Sequence, residues 1–187
     1  MPIKHRLWRP WPPETMRNKE LSRGSTGVLE DTSDVEVVFT RTDSIADVIE
    51  ALVGAATSSI DAALYGFSSQ RLASALEEAQ SRRLRLRLII DGNKYRETPG
   101  CQRLLADRNL SFRLAFGRDG AGSKMHHKFA LLDRKLVLTG SYNWTAASEG
   151  RNYENLLVLR NPDLVEAYRA EFAALWEKSA KVPNEES

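Results

Sequence analysis

His126, Lys128, Ser141 and Asn143 bring an imidazole, an ammonium, a hydroxyl and a carboxamide into one short stretch of chain. The residues Lys124–Leu132 read as a strand, and on a strand side chains two apart share a face. His126 and Lys128 therefore point the same way, and His127 points to the other side. Asp133-Arg134 reads as a tight turn into a second strand, Lys135–Thr139, which returns the chain so that Gly140, Ser141 and Asn143 arrive near His126. Such a set suits attack on a phosphodiester. The imidazole serves as nucleophile, while lysine and carboxamide hold the phosphate oxygens as their charge is redistributed. None of these steps demands a metal. The residues alone leave a plainer reading open, in which a strand histidine is simply hydrogen-bonded and Asn143 shapes a turn.

Elements on both sides must position this hairpin. Val35–Phe39 reads as a strand, and Asp43 introduces a helix with Ile45, Val48, Ile49, Leu52 and Val53 on one side. A strand over Ser59–Tyr65 and a helix over Ser68–Ser81 follow. Arg83–Ile90 alternates arginine with leucine, as a strand with one buried and one basic face does. From Asp91-Gly92 to Pro99-Gly100 a polar loop is expected, then a short helix over Cys101–Asp107 and a strand over Ser111–Phe116. The glycine-rich Gly117–Gly122 is a loop, Tyr153–Leu159 a strand and Pro162–Lys178 a terminal helix. Helices alternating with strands early, and strands clustered late, predict an α/β fold with a mixed sheet flanked by helices. The domain is expected over residues 31–180. An extended, basic, proline-rich arm with Trp8 and Trp11 (1–30) precedes it, and a polar tail (181–187) follows.

The chain has 187 residues, 27 Lys and Arg against 25 Asp and Glu, and a formal net charge of +2. That total hides a gradient: residues 31–81 sum to −7 and residues 82–135 to +9, so the middle segment suits an anionic partner. One cysteine, Cys101, excludes an internal disulfide framework and the usual multi-cysteine zinc sites. No stretch approaches the ~20 apolar residues of a membrane-spanning helix. These features predict a soluble, cytoplasmic protein without stable membrane insertion. The sequence has no Gly-x-Gly-x-x-Gly, Walker loop, His-Glu-x-x-His or EF-hand spacing, and no cofactor or metal is expected.

The pattern His126-x-Lys128-x4-Asp133-x6-Gly140-Ser141-x-Asn143 resembles the extended signature of the phospholipase D superfamily. Trp144-Thr145 and Tyr153-Glu154-Asn155 look like its single-motif branch, the small bacterial non-specific endonucleases and the mitochondrial cardiolipin hydrolase/Zucchini type. The resemblance extends over Ser59–Tyr65 and Arg83–Asp91 and covers about residues 35–178. It implies a phospholipase D-like mixed sheet flanked by helices and a covalent phosphohistidine on His126. By the same resemblance Lys128 and Asn143 bind the non-bridging oxygens, Ser141 assists, and Glu154 accepts a hydrogen bond from the far nitrogen of His126. Asp133 is implied to be more structural than chemical. The reaction also needs a second histidine. Besides His126 the chain has only His5 and His127, so a homodimer sharing one cleft is expected.

Lys94, Arg96, Arg118 and Lys124 are candidates for contact with a nucleic-acid backbone. Tyr65 and Phe67 are candidates for stacking on a base, with core packing as the other reading. The expected function is a metal-independent endonuclease, with single-stranded nucleic acid favoured. The alternatives are a phospholipase D or cardiolipin hydrolase acting on phospholipid, and a non-catalytic nucleic-acid-binding or scaffold module.

Overall fold

The computed structural model describes residues 34–181. The expected arm (1–30), which includes His5, and residues 182–187 of the expected tail lie outside the described residues. Eight strands form one sheet: β1 (Val35–Phe39), β2 (Ser59–Leu64), β3 (Arg85–Asp91), β4 (Phe112–Ala115), β5 (Lys128–Leu132), β6 (Leu136–Gly140), β7 (Asn155–Leu159) and β8 (Ala180–Lys181). The helices are α1 (Ile45–Ala55), α2 (Gln70–Ser81), α3 (Gly92–Glu97), α4 (Pro99–Asp107), α5 (Ala146–Gly150) and α6 (Pro162–Lys178). The strand order is β1-β7-β6-β5-β2-β3-β4-β8. β3 runs parallel to both β2 and β4, and every other pairing is antiparallel. The architecture is therefore the mixed sheet flanked by helices that the sequence predicts.

Period-2 alternation divides the core between two faces. Ala62, Leu88, Ala130 and Leu138 face the larger cluster, built with Ile45, Ile49 and Val53 of α1, Leu72 and Leu76 of α2, and Leu104 and Leu105 of α4. Ala63, Ile89, Phe129, Leu131 and Val137 face the other side, where Val165 and Phe172 of α6 meet them. β2 lies buried along its whole length, as the sheet interior requires of a strand covered on both faces. Side-chain caps start the main helices: Ser44 accepts from Asp47 N, Ser69 from Leu72 N, and Asn161 from Asp163 N and Leu164 N.

Several local expectations change. The polar loop after β3 contains α3, which begins because the buried Asp91 carboxylate accepts from Lys94 N at 2.7 Å. α5 and β8 were not expected; both are too short to carry a periodic signal. The basic face of β3 is not a free stripe. Asp61, 2 % exposed on neighbouring β2, accepts from Arg87 Nε at 2.7 Å and Nη2 at 2.6 Å and from Arg85 Nη2 at 3.3 Å. Arg87 also lies 4.8 Å over the Phe172 ring of α6. Burial of the Asp61 carboxylate is tolerable because it is paired in this way.

Candidate active site

The strand registers bring the chemistry to one margin of the sheet. Leu64 pairs with Lys128, Phe129 with Thr139, Gly140 with Leu156 and Asn155 with Phe39. The margin thus collects the ends of β2, β3, β6 and β1 and the starts of β5 and β7. It lies beyond the carboxyl ends of the parallel strands β2 and β3, where open α/β sheets bind ligands.

β5 starts at Lys128, so His126 and His127 precede the strand instead of lying within it, as expected from Lys124–Leu132. Their opposite directions still hold. Lys128 Nζ donates to the His126 carbonyl oxygen at 2.8 Å and stands 3.3 Å from His126 Nδ1. His127 Nε2 instead meets Glu171 Oε1 of α6 at 3.2 Å. Burial, then the charges of Lys128 and Lys124, hold the His126 imidazolium below the ordinary histidine range, against the pull of Asp91. That shift favours the neutral form, whose lone pair is the nucleophile. Burial also lowers the Lys128 ammonium, opposed by the Glu154 carboxylate.

Ser141 and Glu154 meet across the start of β7. Ser141 Oγ donates to Glu154 Oε2 and accepts from Asn155 N at 3.1 Å. Asn152 Nδ2 donates to Glu154 Oε1 at 3.1 Å. The implied Glu154–His126 hydrogen bond is not among those of the described residues, where Glu154 accepts from Ser141 and Asn152. Asn143 packs on Gly66, where a Cβ would stand 3.3 Å from Asn143 Oδ1, and that buried oxygen has no partner among the described residues. Gly140 has φ +153°, and a Cβ there would lie 2.3 Å from the Asn155 carbonyl oxygen. Only glycine lets β6 close on β7 beside the site.

Tyr65 is the hub of the basic rim. Its ring centroid lies 4.3 Å from that of His126 and carries three ammoniums: Lys128 at 4.9 Å, Lys124 at 5.6 Å and Lys94 at 5.9 Å. Asp91, fully buried, builds this corner by accepting from Lys94 N and from Met125 N at 2.8 Å, tying α3 to the segment before His126. Sequence reading took Asp91 only as a strand end; an Asp just before a helical turn was the available signal. Arg96 lies 5.1 Å over the Phe116 ring, and Arg118 is exposed in the Gly117–Gly122 loop. Neither joins the Tyr65 cluster.

Two candidates leave the site. Phe67 is 2 % exposed, bridges to Trp144 along the backbone and meets its ring at 6.3 Å, so it is core and cannot stack on a base. Asp133 sits at the far end of β5, about 17 Å from Lys128 at ~3.3 Å per residue. There it accepts from Thr57 N at 2.8 Å, Ser58 N at 2.7 Å and Ser59 N at 3.0 Å. Burial alone would raise its pKa, but the hydrogen bonds from Ser59, Thr57 and Ser58 prevail and hold the carboxyl well below the usual range. Asp133 joins β5 to β2 and touches nothing at the catalytic margin.

A cleft of about 370 Å³ opens between His126, Lys128 and α6, lined also by His127, Thr139, Tyr168 and Glu171. Among the described residues no group of three or more His, Cys, Asp or Glu gathers as a metal site. None of the described helices is long and apolar enough to cross a membrane.

Comparisons with known proteins agree with this geometry. The family described as "Cardiolipin synthase, PLD-like domain" matches residues 49–176. The mitochondrial cardiolipin hydrolase of Xenopus laevis is 40% identical over 120 residues, covering 64% of this chain and 55% of that protein. Its mouse counterpart is 35% identical over 136 residues, covering 72% and 59%. The chain therefore spans a little over half the length of these relatives. Nuc from Salmonella typhimurium, a phospholipase D family member of known structure, superposes with a TM-score of 0.70 at 25% identity, covering 80% of this chain and 98% of that one. Relatives from Xenopus laevis to Homo sapiens carry "mitochondrial" in their names, which overturns the cytoplasmic setting expected from composition. Composition reports solubility and says nothing of compartment. With His126, Lys128, Ser141, Asn143 and Glu154 gathered at one margin of a matching fold, the chain belongs to the phospholipase D superfamily.

Proposed function

We propose that the protein is a phosphodiesterase of phospholipase D type that hydrolyses a cardiolipin-like anionic phospholipid, in a mitochondrial setting like that of its named relatives. One observation carries the chemistry: His126 stands at the sheet margin with the Lys128 ammonium 3.3 Å from its Nδ1. The names and 30–40% identities of the curated relatives support the lipid over the endonuclease expected from the sequence.

A His126 nitrogen attacks phosphorus; the P–N bond forms as the P–O bond to the departing alcohol breaks. Lys128 and Asn143 hold the non-bridging oxygens, and Ser141, whose hydroxyl donates to Glu154, ties that carboxylate to the margin. The leaving oxygen takes a proton from a second, protonated imidazole. Water then returns a proton to that imidazole while its oxygen attacks phosphorus, and the P–N bond breaks. From cardiolipin the products are phosphatidate and phosphatidylglycerol.

The second imidazole is His126 of another copy in a two-fold dimer, since His127, the other histidine of the described residues, is turned to Glu171. The dimer face is the β1–β7 side of the margin. There Tyr153 is 88% exposed and Phe39 49%, flanking Glu154 in a cleft of about 410 Å³. The opposite side carries Lys94 and Lys124 and would set like charges against each other.

The basic rim favours a second reading, hydrolysis of a nucleic-acid backbone. The test is wild type and His126→Ala, each incubated in excess EDTA with cardiolipin vesicles and with end-labelled single-stranded DNA. The expected result is phosphatidate release by wild type only. DNA cleavage with intact cardiolipin would replace the lipid reading by the nuclease.

A further inference from the structure

We propose that Lys94 and Lys124, gathered about Tyr65, form a second anion subsite beside His126, so that the preferred substrate carries two phosphates joined by a short polyol bridge. This rests on the phosphodiesterase reading above and specifies which phosphodiesters it takes.

Three ammoniums within about 6 Å of one ring centroid lie no more than about 12 Å from one another. Like charges so grouped repel in the empty site, and the Tyr65 face offsets only part of that cost. Six arginines of the described residues are paired with carboxylates: Arg71 with Asp47 and Glu50, Arg85 and Arg87 with Asp61, Arg108 with Glu77, Arg160 with Glu36 and Arg169 with Glu166. Lys94 and Lys124 form no ion pair among the described residues. Their placement is nonetheless built, because the buried Asp91 carboxylate fixes both Lys94 N and Met125 N, one residue from Lys124 and one from His126. Lys128 is committed to the reacting phosphate. Lys94 and Lys124 are left with donors and charge for a second one.

The other side of His126 excludes that role. The α6 cleft ends in the Glu171 carboxylate and offers His127, Thr139 and Tyr168, a lining for hydroxyl groups and against a second phosphate. A bridging polyol therefore runs from His126 toward Tyr65. Two sources carry this chemistry: the glycerol bisphosphate headgroup of a dimeric phospholipid, and the pentose bisphosphate repeat of a nucleic acid.

The test is calorimetric binding by the full chain at ~0.15 M salt, where screening acts beyond about 8 Å. The probes are glycerol 1,3-bisphosphate against glycerol 3-phosphate, and thymidine 3′,5′-bisphosphate against thymidine 3′-phosphate. Wild type is expected to favour the bisphosphate of at least one pair by about tenfold, and the pair with the larger advantage identifies the source. The double variant Lys94→Gln/Lys124→Gln should cut the advantage to about twofold, whereas Arg134→Gln/Lys135→Gln, at the opposite end of β5, should keep it. Equal binding of one and two phosphates by wild type, no binding of either bisphosphate, or an advantage that persists in the Lys94/Lys124 variant overturns the subsite. Binding is read without turnover. A retained advantage with no hydrolysis of lipid or DNA would sink the functional reading and leave the subsite standing.

Discussion

The aspartate of the family signature provides the sharpest test of how the site is divided. Replacing Asp133 by Asn keeps the shape and tolerates the backbone at φ +54°, which Ala would not. It removes the negative charge and one acceptor oxygen. The carboxylate receives N–H groups from Thr57, Ser58 and Ser59 and hydroxyls from Thr57 at 3.0 Å and Ser58 at 2.9 Å. Hydrogen bonds to a charged acceptor contribute about 1.5–3 kcal/mol each when protected, but most of these are solvent-exposed and only the Ser59 N–H is half-buried, so the expected loss is about 2–3 kcal/mol. For a domain of this size that lowers Tm by roughly 5–10 °C. In urea the midpoint should fall with an unchanged slope. Asp133 has its pKa lowered on folding, so its contribution is full above pH ~4 and is lost as pH falls through the folded value; wild type and variant should converge in acid. Hydrolysis by the folded variant should match wild type. A loss of kcat/KM of about tenfold or more at full folding, or an unshifted midpoint, would return Asp133 to the reaction and refute its reading as a strand tie.

Gly140→Ala should destabilise the fold by about 2–4 kcal/mol in urea unfolding, because its Cβ would collide with the Asn155 carbonyl at a positive φ. Lys124→Gln should move the acid limb of the kcat/KM–pH profile to higher pH: removing a positive charge beside His126 favours the imidazolium, so the neutral nucleophile is lost sooner as pH falls. An acid limb that stays in place or moves down would refute that coupling. Tyr153→Asp should sediment as a monomer and lose hydrolysis while keeping its folded circular dichroism spectrum, since the side chain is 88% exposed among the described residues. A dimeric, active Tyr153→Asp would put the two-fold contact elsewhere.

What the sequence carried and what it withheld follow from the range of the interactions. The alternation of leucine and arginine along β3 fixed the strand and which face is buried, because periodicity is a local property. It could not tell that the arginine face is neutralised, since that depends on Asp61 arriving from the preceding strand. His126 and Lys128 were legible as neighbours two apart, and the hairpin through Asp133-Arg134 brought Ser141 and Asn143 back to them by chain geometry alone. The Glu154 partner was not legible. It is set at the start of β7, where Ser141 and Asn152, distant from His126 in the pattern, donate to its two carboxylate oxygens. Phe67 and Tyr65 look alike in sequence, two aromatics flanking a glycine. Their fates diverge because Gly66 lets Asn143 approach and Trp144 N bond to the Gly66 carbonyl oxygen, and the following Phe67 is then buried against Trp144. Tyr65 is left at the margin, under three lysines. The same hydrogen bond that seats Asn143 beside the site thus removes one aromatic from the surface and leaves the other as the platform of the basic rim. A substitution at Gly66 would for that reason disturb the amide and the platform together.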